Sequence, residues 1–167
     1  MSKSLSRILE NTNEPVITGD CGQAITGDYG TAAAGDCGRA IAGYYGHAYA
    51  GHNGTAIVGR YGLSIAGKAG YAQSEDHGCS IVGRSGTAKA GYNGHAIAHS
   101  YGTAIVDGYG YASAGKGGRV QGGIDSVLTI IYGNTESSQL AVAHVGVDGI
   151  EANVMYLVDS GGNFVAV

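Results

Sequence analysis

Between Gly19 and Gly122 the apolar positions recur every eight residues, and inside each octad they alternate instead of clustering. The unit is G-x-x-G-x-A-x-A, repeated thirteen times and beginning GDCGQAIT, GDYGTAAA and GDCGRAIA. Position four is Gly in all thirteen, and position one departs from Gly only at Glu75, His99 and Asp107. Position six is Ala except at Ser64, Ser80 and Val120, and position eight is small, mostly Ala or Val. Alternation over four residues predicts a short strand with positions six and eight on one face and five and seven on the other. The uniformly small positions should face inward, where opposing sheets approach closely. The G-x-x-G segment predicts a reversal in which the glycines supply positive φ. A helix is excluded, because no apolar face recurs at 3.6 and two glycines per octad oppose one at about 1 kcal/mol each.

Position three sets the length of a coil. Even octads carry Tyr29, Tyr45, Tyr61, His77, Asn93 and Tyr109 there, and odd octads carry Cys21, Cys37, Asn53, Ala69, Ser85, Tyr101 and Gly117. Tyrosine thus returns every sixteen residues, as expected if each coil holds two octads, one strand in each of two facing sheets. The tyrosines would then stack on rungs about 4.8 Å apart in a rod of roughly 30 Å. The rival arrangement, an intertwined trimer, calls for a β-branched core residue in each octad, which the alanines do not provide.

The expected fold class is all-β: a two-sheet β-solenoid over 19–122 with a cap at each end. In 1–18, Leu5, Ile8 and Leu9 follow an i, i+3, i+4 pattern that predicts a short helical lid. Over 123–167 larger apolar residues form segments at 127–132, 140–145, 154–158 and 164–167, separated by turn signals such as Gly133-Asn134 and Asp148-Gly149. They predict a small antiparallel module that caps the last coil or mediates oligomerisation.

Composition sharpens this picture. The chain has 32 glycines with no period of three, one proline (Pro15), no Trp and one Phe (Phe164), which excludes a collagen-like chain. An alanine core buries little area per residue at ~25 cal/mol/Å², so continuous backbone ladders must carry much of the stability. The formal charge is -4, and Arg119 is the last basic residue. Asp125, Glu136, Asp148, Glu151 and Asp159 follow it unbalanced, so the C-terminal segment is acidic on a near-neutral body. No apolar run resembles a signal-peptide core or membrane span. Cys21, Cys37 and Cys79 are too few for a disulfide framework. The expected location is the cytoplasm with reduced thiols, the host cytoplasm if the chain is phage-encoded, and no membrane contact.

Little of this points to catalysis. Gly115-Lys116-Gly117 lacks the Ser or Thr of a phosphate loop, and aspartate at the second turn position occurs only at Asp20, Asp28, Asp36 and Asp76, too sparse for a calcium-binding roll. No cofactor, metal or enzymatic activity is expected. Cys21 and Cys37, one coil apart on close rungs, approach disulfide range but with parallel side chains, and a turn thiol beside Gly is bland in most proteins. The candidate interaction residues are the outward Ile25, Ile41, Ile57, Ile65, Ile81, Ile97 and Ile105, the tyrosine row Tyr29, Tyr45 and Tyr61, the basic row His52, Lys68 and Arg84, and the acidic Asp148, Glu151 and Asp159. The basic row and the tyrosines fall on opposite edges, which argues against nucleic acid as a partner.

The stretches GRYGLSIAG (59–67) and AGYNGHAIA (90–98) resemble the octads of bacterial ice-nucleation proteins, a likeness that implies a solenoid with tyrosine ladders and an ice-binding face. The turn here is G-x-x-G, and Thr55, Thr87 and Thr103 are followed two residues later by Ile57, Lys89 and Ile105 where that family has a second Thr. The tail HVGVDGIEANVMYLVDSGGNFVAV resembles the endings of small glycine-rich octad proteins of phages and prophages, which implies a phage origin. The leading functional expectation is a binding protein directed at a host protein, such as a defence factor, or at a second copy in a dimer or trimer. The alternatives are a structural phage component or adhesin tip, and an ice-binding protein.

Overall fold

A computed structural model describes residues 6–9, 14–134 and 136–167. The elements are all strands: β1 (Ser6–Leu9), β2 (Val16–Ile17), β3 (Gln23–Thr26), β4 (Thr31–Ala34), β5 (Arg39–Ala42), β6 (His47–Ala50) and β7 (Thr55–Val58). They continue with β8 (Leu63–Ala66), β9 (Tyr71–Ser74), β10 (Cys79–Val82), β11 (Thr87–Ala90), β12 (His95–Ala98), β13 (Thr103–Val106), β14 (Tyr111–Ala114) and β15 (Arg119–Gly122). The last four are β16 (Val127–Gly133), β17 (Ser138–His144), β18 (Met155–Val158) and β19 (Phe164–Ala166).

Odd strands β1 to β15 form one parallel sheet and even strands β2 to β16 the other, so the chain winds a β-solenoid of about seven coils. The register advances by sixteen: Ala24 pairs with Ala40, and Ala40 with Ala56. One chain supplies both sheets. Positions six and eight are buried in β3 through β15 while five and seven are half-covered or exposed, as the alternation predicts. The core is therefore a double row of alanines. Among its larger members, Val58, Val82, Val106 and Ile130 recur every third octad at position eight and alternate between the sheets, while Val16 lies at the N-terminal end and Val120 and Leu128 near the C-terminal end.

Three expectations need correction. The helical lid is not formed: Ser6–Leu9 is strand β1, paired in parallel with β3, while Leu5 lies outside the described residues. A one- or two-turn helix is marginal alone, and the open edge of β3 offers a full ladder of backbone partners. The repeat also outruns Gly122, because Gly123–Ile130 makes a fourteenth octad whose strand pairs in parallel with β14. Ser126 stands there at the glycine position, and Leu128 and Ile130 at the alanine positions, which disguises it.

The third correction concerns the glycines. Positive φ falls on position three, which is Cys, Tyr, Asn, Ala, His or Ser in all but one of the thirteen regular octads: Cys21 at 54°, Tyr45 at 52°, Ala69 at 55°. The position-four amide donates to the position-one carbonyl, as from Gly38 to Gly35 at 3.1 Å, the bond of a type II turn. Glycine is required for space. A Cβ on Gly70 would lie 2.7 Å from the Ala66 Cβ and 3.0 Å from the carbonyl oxygens of Gly54 and Gly67.

Beyond the coils, β17 adds antiparallel to β16, β18 adds antiparallel to β15, and β19 follows antiparallel to β18. Both sheets thus close with the expected reversal of strand direction. Tyr156 is buried beneath this end, and Phe164 packs edge-on to it at 6.3 Å.

Candidate interaction surface

Each turn projects positions two and three away from the core, and successive coils bring equivalent side chains into register. Turns before odd strands line one edge of the rod, and turns before even strands line the other.

The even edge is aromatic. The rings of Tyr29 and Tyr45 stack at 5.5 Å and 5°, Tyr45 and Tyr61 at 4.9 Å and 10°, and Tyr61 and His77 at 4.8 Å. Tyr44, from position two, stands perpendicular against Tyr45 at 4.5 Å and also reaches Tyr29 and Tyr61. These rings remain open to solvent, from 38% for Tyr44 to 60% for Tyr29. Further along, Tyr92 and Tyr109 pack at 5.2 Å. The Tyr44 hydroxyl is held above the usual phenol range by desolvation and by hydrogen bonding to Tyr45. That of Tyr109 is raised chiefly by its hydrogen bond with Asp125 and the charge there. Arg60 and Asp76 pair at 3.0 Å between neighbouring coils, leaving this edge locally near neutral. The sixteen-residue period made Tyr29, Tyr45 and Tyr61 legible; Tyr44 and Tyr92 are at position two, which has no tyrosine period to reveal them.

The turn aspartates have a structural task. The Asp20 Oδ1 accepts the Asp36 amide at 3.0 Å, Asp28 the Tyr44 amide at 2.8 Å, Asp36 the His52 amide at 2.7 Å, and Asp76 the Tyr92 amide at 3.1 Å. Each satisfies a position-two N–H of the next coil that faces away from the sheet ladder.

On the odd edge His52, Lys68 and Arg84 are exposed and in register. The Arg84 guanidinium lies 5.1 Å from the centre of the Tyr101 ring. Among the described residues none of the three has a carboxylate within ion-pair distance.

The isoleucines do not share one surface. Ile25, Ile41 and Ile57 run along the outer face of the odd sheet, separated from Ile105 by Gln73 and Lys89. Ile65, Ile81 and Ile97 line the even sheet beside Leu63 and Cys79. All seven are half-buried by their rung neighbours.

The acidic residues divide as well. Asp148 and Glu151 lie exposed in the connection from β17 to β18. Asp159 instead organises the β18–β19 turn, its Oδ1 accepting the amides of Gly161 and Asn163 at 2.9 Å each. Those bonds with Asn163 and Gly161 hold its carboxyl below the ordinary range.

Strand β17 is the terminal strand of the even sheet. It holds no Lys, Arg, Asp or Glu, its one titratable side chain is His144 at the C-terminal end, and Leu140 and Val142 are 57% and 54% exposed. A recess of about 560 Å³ opens between the odd edge and the C-terminal strands, lined by Tyr101, Lys116, Tyr132 and Leu157 among others. Among the described residues no three His, Cys, Asp or Glu side chains converge as a metal would require, and no helix is long and apolar enough to cross a membrane.

These features define a class, a two-sheet parallel β-solenoid closed by antiparallel strands and bearing two chemically distinct turn edges. Compared with family models, curated proteins and solved structures, the chain matches none.

Proposed function

We propose that this chain is a non-enzymatic binding protein that engages a partner protein through its even, aromatic edge. The observation that carries the reading is the array of Tyr29, Tyr44, Tyr45, Tyr61 and His77, stacked, rigidly mounted and open to solvent. Tyrosine at φ near +55° costs roughly 1–2 kcal/mol that glycine at the same turn position avoids. Ring stacking returns about 0.5–1.5 kcal/mol per pair, so the substitution gains little stability by itself. Pre-ordered tyrosines lose little entropy on contact and are enriched among the residues that dominate protein interfaces. A nucleic acid suits the edge less well: the rings stack on one another and leave no gap for a base, and the free cations lie on the opposite edge. The likeness of the tail to phage-encoded octad proteins favours a host protein, such as a defence factor, as the partner.

The test is a pull-down from bacterial lysate with wild-type chain, a Tyr29→Ser, Tyr45→Ser, Tyr61→Ser variant and a Lys68→Ala, Arg84→Ala variant. Loss of one central tyrosine contact should weaken binding about 30-fold, from about 2 kcal/mol per anchor. The reading requires a stoichiometric protein that the tyrosine variant loses and the basic-row variant keeps. Equal retention by both variants, or an eluate containing this chain alone, would count against it.

A second reading, self-association, is favoured by β17. A strand edge that no other described strand covers, without Lys or Pro and with two exposed aliphatic residues, is a template for another strand. Two copies meeting antiparallel about Ala141 would set Leu140 of each opposite Val142 of the other. Light scattering distinguishes the 16.7 kDa chain from its dimer.

A further inference from the structure

We propose that Cys21 and Cys37 form a reversible disulfide that staples the first two complete coils along the odd edge. Both thiols are free and exposed, and both residues occupy position three of consecutive odd turns, with φ of 54° and 56°. The backbone binds the two turns together, the Cys21 amide donating to the Asp36 carbonyl at 2.7 Å. Rungs about 4.8 Å apart place the two Cα atoms inside the range a disulfide spans. The opposite edge shows what position-three side chains do in successive coils: Tyr29, Tyr45 and Tyr61 run parallel and in contact, at 5.5 and 4.9 Å. The two thiols hold the same turn position on the same backbone, Cys21 bears on the ionisation of Cys37, and rotation about χ1 at these exposed side chains turns the parallel sulfurs toward one another.

With hydrogen peroxide as oxidant, one thiolate attacks the O–O bond, takes one oxygen to become a sulfenic acid and releases hydroxide, which is protonated to water. The second thiolate attacks that sulfur, forms the S–S bond and expels the oxygen as water. Overall two thiols and one peroxide give one disulfide and two waters. The Cys37 thiol is held above the ordinary cysteine range, by desolvation first and then by the adjacent Cys21. Thiolate is therefore scarce at neutral pH, and the reaction accelerates as pH rises. Cys79 is an internal control: it is half-buried in the even sheet between Leu63 and His95, with no cysteine beside it.

The experiment treats the full chain with dilute peroxide at neutral and alkaline pH, then alkylates remaining thiols and records intact and peptide masses. The expected product is monomeric, lighter by two hydrogens, and linked between Cys21 and Cys37, with Cys79 still alkylated. Dithiothreitol should reverse it, and the strands β3 and β5 should exchange amide hydrogens more slowly while it is present. Cys37→Ser should abolish the linked peptide. Ser85 already occupies this turn position at φ 60°, so the variant keeps the fold, and Cys21→Ser provides an independent repeat. Oxygen added separately to each cysteine, or a disulfide between two chains, would overturn the proposal.

Discussion

Neighbouring residues in one turn should respond to opposite substitutions with opposite signs. Ala69 is held at φ 55°, where an L-residue carries about 1–2 kcal/mol of strain. Ala69→Gly removes that strain but adds about 0.5–1 kcal/mol of unfolded-chain entropy, for a net stabilisation of about 0.5–1 kcal/mol. Gly70 is not in the left-handed region, and backbone entropy alone favours Gly70→Ala by about 0.4–1 kcal/mol. The new Cβ, however, would sit 2.7 Å from the Ala66 Cβ and 3.0 Å from two carbonyl oxygens. The Gly67 oxygen is in the same turn, where it already accepts the Gly70 amide, and the Gly54 oxygen belongs to the preceding coil on that edge, where it accepts the Tyr71 amide, so relief must distort the turn and loosen the bond between coils. Overpacking of this kind costs about 1–3 kcal/mol, leaving a net loss of about 1–2 kcal/mol. Urea titration followed by far-ultraviolet circular dichroism reads both variants. With a slope of about 2 kcal/mol per molar, Gly70→Ala should lower the midpoint by about 0.5–1 M and Ala69→Gly should raise it by roughly half that. A neutral or stabilising Gly70→Ala, or a destabilising Ala69→Gly, would refute the assignment of glycine to space and of strain to position three.

Other outcomes follow from the core and the C-terminal strands. The Ser80 hydroxyl donates to the Lys89 carbonyl at 2.7 Å and meets the Ser64 and Ser74 hydroxyls at 2.9 Å each. Ser80→Ala should cost about 1–3 kcal/mol by stranding buried hydroxyls, and replacing all three serines with alanine should recover most of that loss in the same urea assay. Asp159 has a folded pKa below its unfolded value, so its contribution is complete above the ordinary carboxylate range and is lost as pH falls through the folded value. Amide protection of Gly161 and Asn163 should decline in that acid window, and Asp159→Asn should remove the dependence. If β17 pairs copies, Val142→Lys should return the chain to monomer in light scattering without lowering its urea midpoint.

Much of the architecture could be read because the repeat is simple. Small residues at six and eight have only one sensible place, between close sheets, and tyrosine at sixteen set the coil. What escaped the sequence did so for physical reasons. Leu5, Ile8 and Leu9 satisfy a helical spacing, but Ser6–Leu9 has an open sheet edge beside it, and the ladder wins. Gly123–Ile130 hides its octad because the last coil meets Tyr156 and the closing strands, where Leu128 and Ile130 fit and alanine would leave space. Glycine suggested positive φ from its intrinsic freedom, whereas here its value is the absent Cβ. At the surface the tyrosine row was legible, but Tyr44 was not, since its role depends on standing perpendicular to Tyr45 across one turn.

The repeat also restricts where recognition can reside. Position four is held by sterics, position one is Gly in all but three octads, and six and eight are held by the thin core, so two, three, five and seven vary most freely. Five and seven lie on the sheet faces, where each side chain is flanked above and below by its rung neighbours; even the isoleucines there are half-buried. Positions two and three stand on the turns and stay exposed in nearly every coil. The proposed partner would therefore meet the turns first, and a chain without selection at those turns would favour Gly or Asn at the strained third position. Instead the even edge carries tyrosine in four of its first seven turns and histidine in another, while the odd edge carries a different set. The two edges share one backbone geometry, so on the proposal that the even edge binds a partner their divergence reflects what each edge would contact.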